Sequence, residues 1–487
     1  MTLRYATSTY GTGVLFDVGT VDSFLVLRES TLFSENNYAI VTAGTGQSVQ
    51  VLGLVGGARG IAMINQLGGS SLNTIDVARN GSISTEYVAI SVQSVATTII
   101  NSGEIRSSDG AAISLSTALD KPMGTVVNYG VISGESGGIA MSTGGALSIS
   151  NYGTISNVDP LNYAVITDDG NDLLVNRGTI EGRVNLSLGD DVLRNRGLIA
   201  GNVDMLDGND RVDTIGGTID GAILLGAGDD TLLPGLDVEN ADGGQGTDTL
   251  DFSRLPGVVV ALDGSLDNAG GAAGDSYTAF ENIVGSQLGD DTLVGDAGAN
   301  LLQGLGGKDA LYGQAGDDRL AGGRGADTLD GGDGDDQLDG GEGNDSLFGG
   351  LGADTLTGGA GNDTLTGGGA GRDLLTGGAG ADKFAFTLDD VAGTSIAAAN
   401  YDQILDFTRA DKDKIVLAAI DAKVGVAGDQ AFAFIGAAAF HNLAGELRIS
   451  PVDGGYAVMG DTNGDGVADF VIGVTTSAAL VAGDFVL

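Results

Sequence analysis

One nine-residue phrase constrains this chain more than any other feature. In residues 331–350, GGDGDDQLDGGEGNDSLFGG, the residues Gly331, Gly332, Gly334, Asp336 and Leu338 return nine positions later as Gly340, Gly341, Gly343, Asp345 and Leu347. The sixth position of successive units is Asp291, Asn300, Asp309, Asp318, Asp327, Asp336, Asp345, Asp354, Asp363, Asp373 and Asp382. Every spacing is nine except one of ten, after Asp363. Two residues on stands an apolar side chain: Leu293, Leu302, Leu311, Leu320, Leu329, Leu338, Leu347, Leu356, Leu365, Leu375 and Phe384. This period fits neither a helical turn nor the alternation of one strand. It predicts a six-residue turn followed by a three-residue strand whose apolar residue points into a narrow core. A flexible glycine linker would not keep Asp and Leu in register over eleven units.

Composition sharpens the reading. Glycine is 86 of 487 residues and proline only 5, which excludes collagen and proline-rich linkers. A hydrophobic content of 42% without charge blocks indicates a folded chain. Of the 65 acidic residues 55 are Asp and 10 Glu, and Asp is the carboxylate suited to turns and metal loops. A formal net charge of −43 excludes nucleic acid and anionic membrane as partners and invites cations. That charge is uneven, −5 over residues 1–160 and −38 over 161–487. Without cysteine there is neither disulfide nor thiolate metal site. The opening MTLRYATSTYGTG has no charged region followed by an apolar run, so no cleavable signal peptide is expected. No apolar stretch reaches the roughly 18 residues of a membrane-spanning helix.

The nonapeptides resemble the glycine-rich units of the RTX (repeats-in-toxin) proteins, whose repeat is a Ca²⁺-binding β-helix unit. That resemblance implies a parallel β-roll with two nonapeptides per coil, so that turn n stacks on turn n+2 with Ca²⁺ between them. Asp carboxylates and glycine-region carbonyls would supply the hard oxygen ligands Ca²⁺ prefers. One ladder would be Asp291, Asp309, Asp327, Asp345, Asp363 and Asp382, and the other Asn300, Asp318, Asp336, Asp354 and Asp373. Asn300, a neutral amide, would mark the weakest site.

Fainter repeats lie upstream. Asp172, Asp191, Asp210, Asp230 and Asp248 recur at spacings of 19, 19, 20 and 18. They suggest one calcium-type turn per coil, with a return path carrying Ile180, Val184, Ile199 and Val203. Cation binding is favoured because the doublets Asp190–Asp191 and Asp229–Asp230 would otherwise repel between coils; ordinary metal-free Asp-Gly turns are the alternative. Earlier still, an N-x-G-x-I phrase recurs from Asn101, Asn128, Asn151, Asn176 and Asn195, interleaved with the alternating runs 87–91, 111–115 and 163–167. Each coil should therefore hold at least two short strands joined by Gly/Asn/Ser turns. The pattern is similar to the right-handed parallel β-helix of autotransporter passengers and filamentous adhesins. The asparagines would either stack as an internal amide ladder or serve as turn residues tolerant of positive φ.

The expected fold is all-β: a right-handed parallel β-helix running into a calcium-stabilised parallel β-roll with a small C-terminal β-rich cap. Its expected segments are 1–165 with long coils, 166–284 with coils of about 19 residues, 285–385 as the roll and 386–487 as the cap. In that last segment KFAF, YDQILDFTRADKDKIVL, AGELRIS, GDTNGDGVADFVIGV and DFVL resemble, in order, the C-terminal module of serralysin-type and related exported RTX proteins. The resemblance implies export by a type I secretion machinery reading an uncleaved terminal signal, with Asp484 before Phe485, Val486 and Leu487. An edge strand that happens to end the chain is the alternative. Asp461, Asn463, Asp465 and Asp469 stand at EF-hand-like spacing, but Ile472 replaces the bidentate Glu, so a hairpin turn competes evenly with a Ca²⁺ site. Asp402, Asp406, Asp411 and Asp413 could also ligate Ca²⁺ beneath the roll.

No HExxH, GxSxG, P-loop or Rossmann fingerprint occurs, and the only histidine is His441. A polysaccharide lyase or epimerase on the β-helix would need clustered acid/base groups, whereas residues 1–160 offer only scattered Asp76, Arg79, Arg106, Asp109, Asp120 and Lys121. The expectation is a non-enzymatic, secreted calcium-binding structural protein of a Gram-negative cell surface or matrix, assembling with itself through apolar first strands near residues 21–33. A monomeric RTX adhesin, with surface polysaccharide as a partner, is the alternative.

Overall fold

The computed structural model describes residues 3–6, 9–11, 15–19, 23–28, 30–43, 46–64, 73–93, 97–116, 124–142, 145–369, 371–391, 401–424 and 426–487. Nearly all regular structure is β-strand, and the described helical elements are one turn at Leu388–Val391 and a 3₁₀ turn at Ala482–Asp484. The chain divides into two compact units. One is Met1–Leu250 with Gly274–Phe280, and the other is Asp251–Ala273 with Glu281–Leu487.

The first unit is a parallel β-solenoid. On one face Ser23–Val26, Ser48–Val51, Asn73–Val77, Thr97–Asn101, Thr125–Asn128, Ser148–Asn151, Leu173–Asn176, Val192–Asn195, Arg211–Asp213 and Thr231–Leu233 pair in turn, each parallel to the next. The register Ser148↔Leu173↔Val192 shows the coil shortening from 25 to 19 residues. Each coil has three sides rather than two, as Thr97–Asn101, Glu104–Ser107 and Ile113–Ser116 show. Alternation puts every second residue inside, so Ile149, Leu174 and Leu193 line one wall, Ile155, Ile180 and Ile199 the next, and Val165, Val184 and Val203 the third. A fully buried aliphatic side chain is worth roughly 1.5–3 kcal/mol, and stacking coils is the only way such short strands can bury one.

The N-x-G corners settle the asparagine question in favour of the ladder. The Nδ2 of Asn101 donates to Oδ1 of Asn128, Asn128 to Asn151, Asn151 to Asn176 and Asn176 to Asn195, each at 2.8 Å. All five side chains are buried, and none has positive φ. The following glycine is needed for close approach, since a methyl on Gly153 would overlap the Gly130 carbonyl one coil back.

The second unit contains the roll, in which n does stack on n+2. Leu301–Gly306, Arg319–Arg324, Gln337–Glu342, Thr355–Ala360 and Leu374–Ala379 form one parallel wall. Thr292–Val294, Ala310–Ala315, Thr328–Asp333, Ser346–Leu351, Thr364–Gly369 and Lys383–Ala385 form the other. The strands differ from expectation in length. From Leu301–Gly306 to Leu374–Ala379 they run six residues, through the glycine pair, because the backbone of those glycines stays in the ladder (Gly323↔Gly341↔Gly359). The turn proper is correspondingly short.

The cap continues both walls. Gln403–Ile404 adds to Leu374–Ala379, and Lys414–Val416 adds to Lys383–Ala385. Phe485–Val486 then pairs in parallel with Lys414–Val416, which extends the buried column Phe384, Ile415, Phe485. An antiparallel meander of Glu446–Val452, Gly455–Asp461 and Phe470–Thr475 packs alongside, joined to the wall through Gln403–Ile404.

Candidate metal centres

Each roll aspartate divides its two oxygens between different tasks. Oδ1 accepts the backbone N–H of the aspartate one coil earlier: Asp309 donates to Asp327 (2.9 Å), Asp327 to Asp345 (2.8 Å) and Asp345 to Asp363 (2.8 Å). The opposite turn does the same, Asp318 to Asp336 (2.8 Å), Asp336 to Asp354 (2.9 Å) and Asp354 to Asp373 (2.9 Å). Asp291 heads the first column by donating to Asp309, and Asp363 donates to Asp382. Oδ2 has no hydrogen-bond partner at Asp309, Asp318, Asp327, Asp336, Asp345, Asp354, Asp363 and Asp382, although all eight side chains are buried. A buried carboxylate oxygen left unpaired is costly unless a cation or a proton meets it.

The glycine that opens each phrase leaves room beside that oxygen. A methyl on Gly340 would lie 2.6 Å from Asp345 Oδ2 and 2.6 Å from the Gly358 carbonyl oxygen, and one on Gly358 2.6 Å from Asp363 Oδ2 and 2.7 Å from the Gly377 carbonyl. A carboxylate oxygen and a carbonyl oxygen thus border the same gap at turn after turn. Hard, mixed oxygen donors of this kind suit Ca²⁺. Among the described residues no three Asp, Glu or His side chains converge, so the carbonyls are indispensable to any such site. A bound Ca²⁺ would supply the positive charge that lets the buried carboxylates ionise. Without it, burial pushes Asp309, Asp336 and Asp354 up to about 7 and Asp318, Asp327 and Asp363 up to about 6.

Asn300 fills its rung differently. Its Oδ1 accepts from the Asp296 N–H (2.8 Å) and its Nδ2 donates to the Glu281 carbonyl (2.9 Å), so the amide is satisfied without an ion. The ladders do not stop with the repeats. Asp373 donates to Oδ1 of Asp402 and Asp382 to Oδ1 of Asp413, drawing two cap residues into the columns, while Asp406 receives Gly377 and Gly378 N–H groups and Asp411 is exposed. An outer ladder escaped the sequence reading. Asp290, Asp317 and Asp335, each next to a buried rung, accept backbone N–H groups of Lys308, Asp335 and Ala353 on the surface. The signal was there in the Asp-Asp doublets: one member faces in and the other out.

In the first unit Asp172, Asp191, Asp210, Asp230 and Asp248 also form one column, with N–H to Oδ1 distances of 2.6–2.8 Å from Asp172 to Asp248. The hairpin loop at 461–469 is brought together but occupied by itself. Asp461 accepts from Gly464 and Gly466, Asp469 from Thr462 and Asn463, Asn463 Oδ1 from Asp465, and Asp465 from Val467. Every carboxylate oxygen of Asp461 and Asp469 is thereby hydrogen-bonded, as in a tight turn. Elsewhere Asp484 is buried in a pair with Arg409 (2.6 Å), and exposed His441 meets Glu446 (2.7 Å). The scattered acid/base candidates stay scattered: Asp76 accepts from Gln50 and Arg106 pairs with Glu104, while Asp120 and Lys121 lie outside the described residues.

No curated protein matches the chain. Among solved structures, a subunit of the Azotobacter vinelandii mannuronan C5-epimerase is 27% identical over 42% of this chain and 80% of its own, with a TM-score of 0.17. Residues 287–320, 312–347, 339–369 and 368–388 match the RTX calcium-binding nonapeptide repeat in four copies. The roll columns within residues 287–388 are therefore RTX calcium-binding repeats, which bind Ca²⁺ at multiple sites.

Proposed function

We propose that this chain is a secreted calcium-binding structural protein of the cell surface or extracellular matrix, a surface-layer or filament subunit that assembles with itself in Ca²⁺. The observation that carries the calcium half is the unpaired, buried Oδ2 on eight rungs of the roll, seven of them in succession from Asp309 to Asp363. In the low calcium of a cytosol those rungs disfavour folding, which suits export of an unfolded chain through a type I channel. Outside a Gram-negative cell, Ca²⁺ then drives the roll to fold. The assembly half draws on the first strand, Leu3–Ala6, which pairs with Ser23–Val26 and has no second partner among the described residues. Such an edge can hydrogen-bond a second copy. Of the apolar segment 21–33, residues 21, 22 and 29 lie outside the described residues. Neutralising a charge of −43 is a precondition for packing copies together, so assembly should need Ca²⁺.

Electron microscopy of the full-length protein at millimolar Ca²⁺ tests this, and sheets or fibres that disperse in chelator are the expected result. Deleting residues 1–35 should abolish them while leaving calcium-driven folding of the roll. Monodisperse full-length particles would overturn assembly and favour a monomeric adhesin. One feature supports that second reading: exposed Tyr129 and Tyr152 stack with ring centroids 5.0 Å apart, and Arg177 Nη1 donates to the Tyr152 hydroxyl at 3.0 Å. Stacked rings beside a cation suit an acidic surface polysaccharide.

A further inference from the structure

The two aspartate columns share a backbone but not a cradle. In the roll Asp309 follows residues of positive φ four and two positions earlier, Leu305 (70°) and Gly307 (138°). Upstream the same trace precedes Asp191 (Ser187 65°, Gly189 128°), Asp210 (Leu206 73°, Gly208 153°) and Asp230 (Gly226 114°, Gly228 136°). Oδ1 is engaged identically in both columns, and Oδ2 of Asp191, Asp210 and Asp230 is likewise buried without a partner. The difference lies five positions before the aspartate. All eight roll rungs with an unpaired Oδ2 have glycine there, from Gly304 for Asp309 to Gly377 for Asp382. Upstream, Asp191, Asp210 and Asp230 have Leu186, Met205 and Leu225 there, each 0% exposed, whereas Asp172 has the buried Thr167 and Asp248 has Gly243.

We propose that the residue five positions before the aspartate decides what a rung can hold: glycine admits Ca²⁺, whereas Leu186, Met205 and Leu225 exclude it from Asp191, Asp210 and Asp230. The physical reason is volume. In the roll the place of the missing Cβ is the gap bordered by Oδ2 and a carbonyl oxygen, and upstream the residue at the same point of the trace carries a Cβ and a fully buried aliphatic chain. A cation would have to displace a buried side chain to gain few ligands, against the six to eight oxygens Ca²⁺ commonly takes. Burial raises all three carboxyls, Asp191 to about 8 and Asp210 to about 7, so a proton can take the place an ion would hold. The coils those three rungs hold together should fold without metal, and the calcium requirement should belong to rungs that follow a glycine at this position, those of the roll and Asp248. This rests on the roll binding Ca²⁺.

The test counts Ca²⁺ ions bound per full-length chain by equilibrium dialysis. The Asp191→Asn/Asp210→Asn/Asp230→Asn variant should bind as many ions as the parent, and Asp336→Asn/Asp345→Asn should bind fewer. A loss in the first variant overturns the exclusion while leaving the roll's calcium intact. No loss in the second overturns the calcium reading beneath it. Leu225→Gly supplies the converse. Residues 225–232, LGAGDDTL, lack only the opening glycine of the roll phrase, so this change should add one ion at Asp230. A folded Leu225→Gly protein with no added ion overturns the rule. Should circular dichroism show that variant unfolded, Gly340→Ala decides instead: it should lose calcium at Asp345, and an unchanged count overturns the proposal.

Discussion

The asparagine ladder of the first unit and the aspartate columns of the roll solve one problem with two chemistries. Both run a polar side chain up the inside of a parallel stack, and both use it to tie one coil to the next. An amide carries a donor and an acceptor, so Asn128 can accept from Asn101 and donate to Asn151 at 2.8 Å, and also donate to the Thr154 carbonyl. The ladder closes on itself. A carboxylate only accepts, so after Oδ1 takes a backbone N–H, Oδ2 of Asp336 is left over in the interior. That column is complete only with something added from outside. The lesson is that substituting oxygen for an NH₂ group turns a self-sufficient spine into a conditional one.

Removing calcium should separate the two most sharply. Hydrogen exchange of the full-length protein in chelator should show residues 285–385 losing protection wholesale, while amides near Asn128, Asn151 and Asn176 stay slow. Equal loss in both would erase the distinction between the spines.

Acid should partly replace the ion. Burial holds Asp309, Asp336 and Asp354 near 7 in the folded, metal-free protein, against about 4 in an unfolded chain. Between those values the folded state binds more protons, so metal-free stability is greatest below about pH 4 and falls as pH rises through about 7. Calcium affinity should climb over the same window, with proton release. Metal-free protein should therefore melt at a higher temperature at about pH 5 than at about pH 8; the reverse order would contradict the assigned burial.

Breaking the neutral ladder should cost less but be independent of metal. Asn151→Ala removes one bond of the Asn128 Nδ2 and one of the Asn176 Oδ1, each of which keeps another partner, at about 0.5–1.5 kcal/mol per lost bond. Thermal unfolding should register that loss with the calcium titration unchanged. Smallest of all, Asn300→Asp should strengthen calcium binding at one turn severalfold, less than a full carboxylate gain because the bond to the Glu281 carbonyl is lost. A titration indistinguishable from the parent would show that Asn300 lies outside the binding column.

Much of this was legible in advance, for a reason particular to solenoids. When each coil packs only on its neighbours, three-dimensional adjacency becomes sequence periodicity, so Leu302, Leu320, Leu338 and Leu356 announced their column before it was seen. Aperiodic contacts left no such trace. Asp402 and Asp413 joined the ladders from a segment that does not repeat, and Asp484 met Arg409 across 75 residues. The longer strands were missed because glycine reads as a turn residue, although here its backbone keeps the ladder going.

The sequence by itself determined the stacking, the position of each buried rung within the repeats and the oxygen chemistry facing inward, because spacing and residue type are enough for those. Only the tertiary structure decided which oxygen of each aspartate is already spent and which is not, and what its neighbours in the adjacent coil are, as the Gly358 carbonyl is beside Asp345. Both depend on the coil above and below, whose distance and orientation no single repeat contains.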